Sequence, residues 1–173
     1  MNFLSVYTKW ISGVNEWIGR VFSWTILILV LLTVMEVILR KFFNAPTIWS
    51  FETNVQLFGF YFMILSAHTL LHKGHVSIDL IYDRLSDRTK IVVDLIGYLV
   101  FFFPFTFVML WQGIDFAKMS WMSLETSWSV FHPPLYLIKT IIPLTALLLI
   151  MQGSAVFIRK IYMLVERKEV PND

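Results

Sequence analysis

The sequence predicts an all-α membrane protein with four transmembrane helices, short amphipathic interfacial helices and both termini cytoplasmic. Three observations lead there. Hydrophobic residues make up 57% of the 173-residue chain and charged residues 15%, against about a quarter charged in soluble domains. Four apolar runs are each long enough to cross a hydrocarbon core of about 30 Å, which takes about 20 helical residues. Finally, Lys and Arg fall unevenly on the two sides that those runs define.

Backbone groups in lipid must pair within their own segment, so the runs read as helices. Spans are expected at 21–40, 50–72, 90–113 and 137–159, inside one membrane domain covering residues 1–173. The first is too long for a signal peptide and lacks a small-residue cleavage site, so it reads as retained. Cysteine is absent, which removes disulfides, thiolate metal sites and Cys nucleophiles together. A net charge of +2 gives no basic field for nucleic acid. No nucleophile motif such as G-x-S-x-G occurs.

Residues 2–20 come first. Phe3, Leu4, Tyr7, Trp10, Ile11, Val14, Trp17 and Ile18 recur at helical spacing, with Ser5, Thr8, Lys9, Ser12, Asn15 and Glu16 between them. That pattern predicts an interfacial helix, apolar face down. Glu36 and Arg40 close the first span four residues apart, acid first, the favourable order for a helix pair. Asn44 and Pro46 are turn residues, Trp49 fits an interfacial anchor and Ser50 is a candidate cap. Glu52 falls in the first turn of the second span, where a carboxylate meets the positive helix end.

That span closes with His68 and His72, and Gly74 is a stop signal. A second amphipathic surface helix is expected over 76–86. Ser86-Asp87 reads as the start of the third span, with Asp94, four residues after Lys90, as a paired boundary carboxylate. Pro104 predicts a kink. Residues 115–135 alternate aromatic and polar side chains and are expected to lie as a surface arm, ahead of the fourth span.

Orientation follows from the positive-inside rule. Lys9, Arg20, Lys73, Arg84, Arg88, Lys90, Arg159, Lys160, Arg167 and Lys168 share one side; only Arg40, Lys41, Lys118 and Lys139 lie on the other. The first side is assigned to the cytoplasm.

Chemistry has few candidates. His68-x3-His72-x2-His75 with Asp79 is the sharpest, because a helix places His68 and His72 on one face. The glutamate of H-E-x-x-H is missing, so these read as boundary histidines, with no metal or other cofactor expected. A haem would need an axial histidine at matching depth, and His132 falls on the opposite side. Mid-span polar residues are limited to Thr33, Gln56, Ser66, Thr106 and Thr145, too few for a transport pathway, and no inverted repeat is evident. The chain reads as a non-catalytic brace beside a larger membrane protein. The alternative is a haem- or quinone-associated membrane-anchor redox subunit.

Three ordered signatures then carry a family resemblance. Glu36-Val37-x-x-Arg40-x-x-Phe43-Asn44-x-Pro46-x-x-Trp49-x-x-Glu52 is the first. Gly74-His75-Val76-x-x-Asp79, followed by Leu85-Ser86, is the second. Glu125-x-Ser127, then Pro133-Pro134-Leu135-Tyr136-x-x-Lys139 with Pro143 and Gln152-Gly153, is the third. Over roughly residues 30–155 the chain resembles the small, DctQ-like membrane subunit of tripartite ATP-independent periplasmic (TRAP) transporters. Lys41 departs from the family, which usually has an aromatic there.

The resemblance implies a bacterial inner-membrane protein with four spans and both termini inside. Its partners would be a large M-type membrane subunit, which moves organic acids by a sodium-driven elevator motion, a periplasmic P-type substrate-binding protein, and membrane lipids. Arg40, Asn44, Trp49, Glu52 and Glu125 would shape the outward face that meets those partners. His75 and Asp79 would hold the inner surface helix. Glu36, Pro46, Gly74, Asp94, Pro133, Pro134 and Lys139 would serve structure.

Overall fold

Six helices account for nearly all of the described backbone in the computed structural model, which describes residues 3–72 and 86–166. Gly74, His75 and Asp79, and the surface helix expected before Ser86, lie outside the described residues. Helix α1 is Phe3–Phe22, α2 Thr25–Phe42, α3 Ser50–Leu71 and α4 Asp87–Gly97. A π-helical turn, Tyr98–Phe102, joins α4 to α5, Phe103–Met122, and α6 is Tyr136–Glu166. The fold is all-helical, and the helices give four segments long and apolar enough to cross a membrane.

Helix α6 is central. It packs along α5 and α3, while α1 lies against both α3 and α6, and α2 contacts α3. The contact between α5 and α6 rests on small side chains. Gly113, Ala117 and Ser120 are buried on one face of α5, and a Cβ on Gly113 would meet Ile142 at 3.1 Å and the Pro143 nitrogen at 3.3 Å. Small residues let membrane helices approach this closely. Ile64, Ala67 and Leu148 are buried where α3 meets α6, and Ile18 and Phe22 of α1 close over them.

Local chemistry explains the breaks. Asn44 has φ +49°, and with the chain reversed there Ala45 N–H reaches the Leu39 carbonyl at 3.1 Å. Ser86 caps α4 by accepting from Thr89 N–H. Leu124 ends α5 at φ +47°. Its N–H bonds Trp121 O, and Glu125 N–H bonds Ser120 O at 3.0 Å, the paired bonds of a Schellman stop. Pro104 has no N–H to give its preceding turn. The chain widens just before it, so that Phe103 N–H bonds Tyr98 O.

Three sequence expectations change here. Ser50 is not a cap: it is the first residue of α3, fully buried, and Trp49 occupies the cap position without a side-chain bond. The arm expected to begin at 115 begins only after Met122, because α5 continues with Gly113, Ala117 and Ser120 keyed into α6. Helix α1 also has a different inner face from its hydrophobic pattern. Thr8, Ile11 and Asn15 are buried, whereas Trp10 and Trp17 are more than 60% exposed.

Candidate functional site

The helices alternate in direction, so polar groups gather at two ends. One end holds Glu36 to Glu52 and the 123–139 segment. Glu36, nine-tenths covered, accepts from Arg40 Nε at 2.6 Å and from both the hydroxyl and the backbone N–H of Thr47. The pair expected from i, i+4 spacing is present, and Thr47 completes it. Arg40 keeps just over half of its side chain exposed.

Glu52 accepts from Ser127 Oγ at 3.0 Å, tying α3 to the segment after α5. That segment folds back on itself. Ser127 N–H bonds Pro133 O at 2.9 Å, Leu135 N–H bonds Glu125 O at 2.9 Å, and His132 at φ +49° turns its Nδ1 to Ser127 O at 2.9 Å. Pro133 is buried and Pro134 half-buried in this return. Lys139 Nζ reaches Glu125 Oε2 at 2.5 Å and sits 4.0 Å from the centre of the Phe116 ring.

Hydrogen bonding from Lys139 holds the Glu125 carboxyl below its ordinary value of 4.5. A depressed carboxylate contributes stability above its unfolded pKa and loses it as pH falls through the folded one. The purified protein should therefore hold this contribution near pH 7 and lose it progressively as pH falls from the ordinary carboxylate value down through the lowered one. Glu125→Gln should lower the melting midpoint at pH 7 and shrink the acid-induced drop. A variant melting like wild type across this range would show the pair to be idle.

The other end holds α1, the end of α3, α4 and the later turns of α6. Asn15 Nδ2 donates to Gln152 Oε1 at 2.9 Å, both side chains being fully buried. Tyr7 and Ser154 hydroxyls meet at 3.0 Å, and Arg159 donates to Ser12 at 2.8 Å. Asp94 is bound by Lys160 of α6. No local spacing signals a partner so distant in the chain. Glu16, His68 and His72 cluster where α1 crosses α3.

Between the ends, three of the mid-span hydroxyls bond back to their own helices, whereas the buried Thr145 hydroxyl has no hydrogen-bond partner. Thr33 bonds Leu29 O, Ser66 bonds Met63 O, and Thr106 bonds Phe102 O. Such back-bonding commits each O–H donor to the local helix. His132 belongs to the Glu52 end and His72 to the opposite one. Twenty helical residues, about 30 Å at 1.5 Å each, separate Glu52 from His72, so His132 and His72 do not share one iron.

Four membrane-length helices with charged pairs gathered at their ends define a multi-pass α-helical membrane protein. Residues 29–162 match the family model described as tripartite ATP-independent periplasmic transporters, DctQ component. The chain belongs to that family, and is therefore a TRAP transporter small membrane subunit. No curated protein matches it.

Of the residues that the sequence reading placed on a partner face, Glu52 and Glu125 have internal partners and Asn44 makes a turn. Arg40 is the exposed charge among them. The bonds made by Thr47, Ser127, Asn15 and Gln152 are not foreseen from the sequence. A polar Gln152 deep in an apolar span was the one usable signal, since such a group needs a partner.

Proposed function

We propose that this subunit braces the fixed scaffold of a large M-type transport subunit and helps dock a P-type substrate-binding protein. The complex would take up organic acids on a sodium gradient. The chain itself carries no catalysis and no solute path. It sits in the bacterial inner membrane with both termini cytoplasmic, as the ten-to-four division of Lys and Arg supports. Helix α1 lies in the inner interface and the Glu52 end faces the periplasm.

The observation that carries the docking role is an exposed apolar rim on an internally paired base. Phe42, Phe43, Ile48, Phe51, Trp128 and Val130 are each more than 65% exposed. Several lie in connections that the Glu36, Glu52 and Glu125 pairs hold in place. Exposed aromatics beside an arginine are the composition of a protein-binding patch.

Uptake with all three components tests this reading. Trp128→Ala and Arg40→Glu should slow uptake and weaken capture of the binding protein by at least about 10-fold, the scale of one binding hot spot. Copurification with the large subunit should persist. Wild-type uptake by both variants in intact complexes would remove this rim from the docking surface. Solute uptake by the chain alone in liposomes would overturn the brace altogether.

A further inference from the structure

We propose that Glu16, His68 and His72 form a binding site for a zinc-like divalent transition ion, clamping α1 to the end of α3. One donor atom from each residue lies within 4.8 Å of the others. His72 Nε2 is 2.7 Å and His68 Nδ1 3.7 Å from the same Glu16 oxygen. Zinc holds nitrogen and oxygen donors at about 2.0–2.2 Å, which sets them about 3.4 Å apart around a tetrahedron. To reach that size the His72–Glu16 edge lengthens by about 0.7 Å and the His68–Glu16 edge shortens by about 0.3 Å, movements within reach of side-chain rotation.

The donor set is the second argument. Two imidazoles and one carboxylate suit zinc, cobalt or nickel; magnesium and calcium take oxygen shells. His68 and His72 stand one turn apart with ring centres 4.5 Å from each other. Glu16 supplies from another helix the carboxylate that the local His-x3-His sequence lacks.

The surroundings fit as well. His68 Nδ1 is buried without a hydrogen-bond partner, an expense that proteins seldom leave uncompensated. Gly19, one turn beyond Glu16 on α1, makes the space: a Cβ there would come within 2.1 Å of that same nitrogen. More than half of the His72 side chain is exposed, which leaves a route for the ion and a fourth position for water. Arg20, 3.7 Å from Glu16 and largely solvated, can swing aside.

The test uses the full-length chain, purified without a histidine tag and stripped with chelator. Cobalt titration should produce visible ligand-field bands saturating at one ion per chain and abolished by zinc. His72→Asn and Glu16→Gln should each weaken binding at least about 10-fold, since even outer-shell losses cost that much at metal sites. His132→Asn should bind as wild type. Zinc-edge X-ray absorption on the unaltered protein needs no variant and should show imidazole scattering. No stoichiometric cobalt spectrum, equal binding by both variants, or an all-oxygen zinc shell would each overturn the site.

Discussion

Gly153→Leu is expected to lower the stability of the purified subunit by about 2 kcal/mol, among the largest effects of any single change here. A Cβ at this position would lie 2.2 Å from Phe102 Cε1 and 2.9 Å from Cζ. The ring therefore occupies the space that any side chain would need. Overpacking a tight contact costs about 3 kcal/mol at the top of its usual range, and better helix propensity returns less than about 1 kcal/mol. Phe102→Ala in the same chain should restore part of the loss. Thermal unfolding in detergent reads both. A Gly153→Leu protein that melts with wild type would mean that the Tyr98–Phe102 turn does not pack on α6 at Gly153.

The second large effect concerns two amides. Gln152→Leu removes the acceptor of Asn15 Nδ2 and leaves a buried donor unmatched, at a cost of about 1–3 kcal/mol. Asn15→Leu strands Gln152 in the same way. The double replacement should be milder than either single one. It removes all four polar groups together, including Asn15 Oδ1 and Gln152 Nε2, which have no partner now. Protease access to α1 supplies a second readout, rising in the single variants and falling back in the double. Additive losses would show that the amides act separately.

These two sites mark where sequence reasoning stopped. The four apolar segments, the Glu36–Arg40 pair and the Ser86 start follow from composition, i, i+4 spacing and capping preference, all of them local. Asn15 was assigned to a polar outer face because hydrophobic periodicity cannot see a hydrogen-bond partner 137 residues away. The Asp94–Lys160 and Glu16–His72 contacts were invisible for the same reason. The 115–122 stretch misled differently. Its alternating aromatic and polar residues resemble a surface arm, yet the small residues Gly113, Ala117 and Ser120 recur at helical spacing and decide the matter through packing. Family signatures located Glu125 and Lys139 together but did not say that they touch.

The wide turn at Tyr98–Phe102 works as a phase adjuster between two halves of one rod. Each residue in a helix swings everything beyond it by about 100°. The upstream half must aim Asp94 at Lys160, while the downstream half must aim its small stripe along α6. Shortening the loop of backbone by a single residue would leave one half correctly pointed and rotate the other away from its seat. Chain length at this spot is thus itself a specification, independent of which side chains are written there.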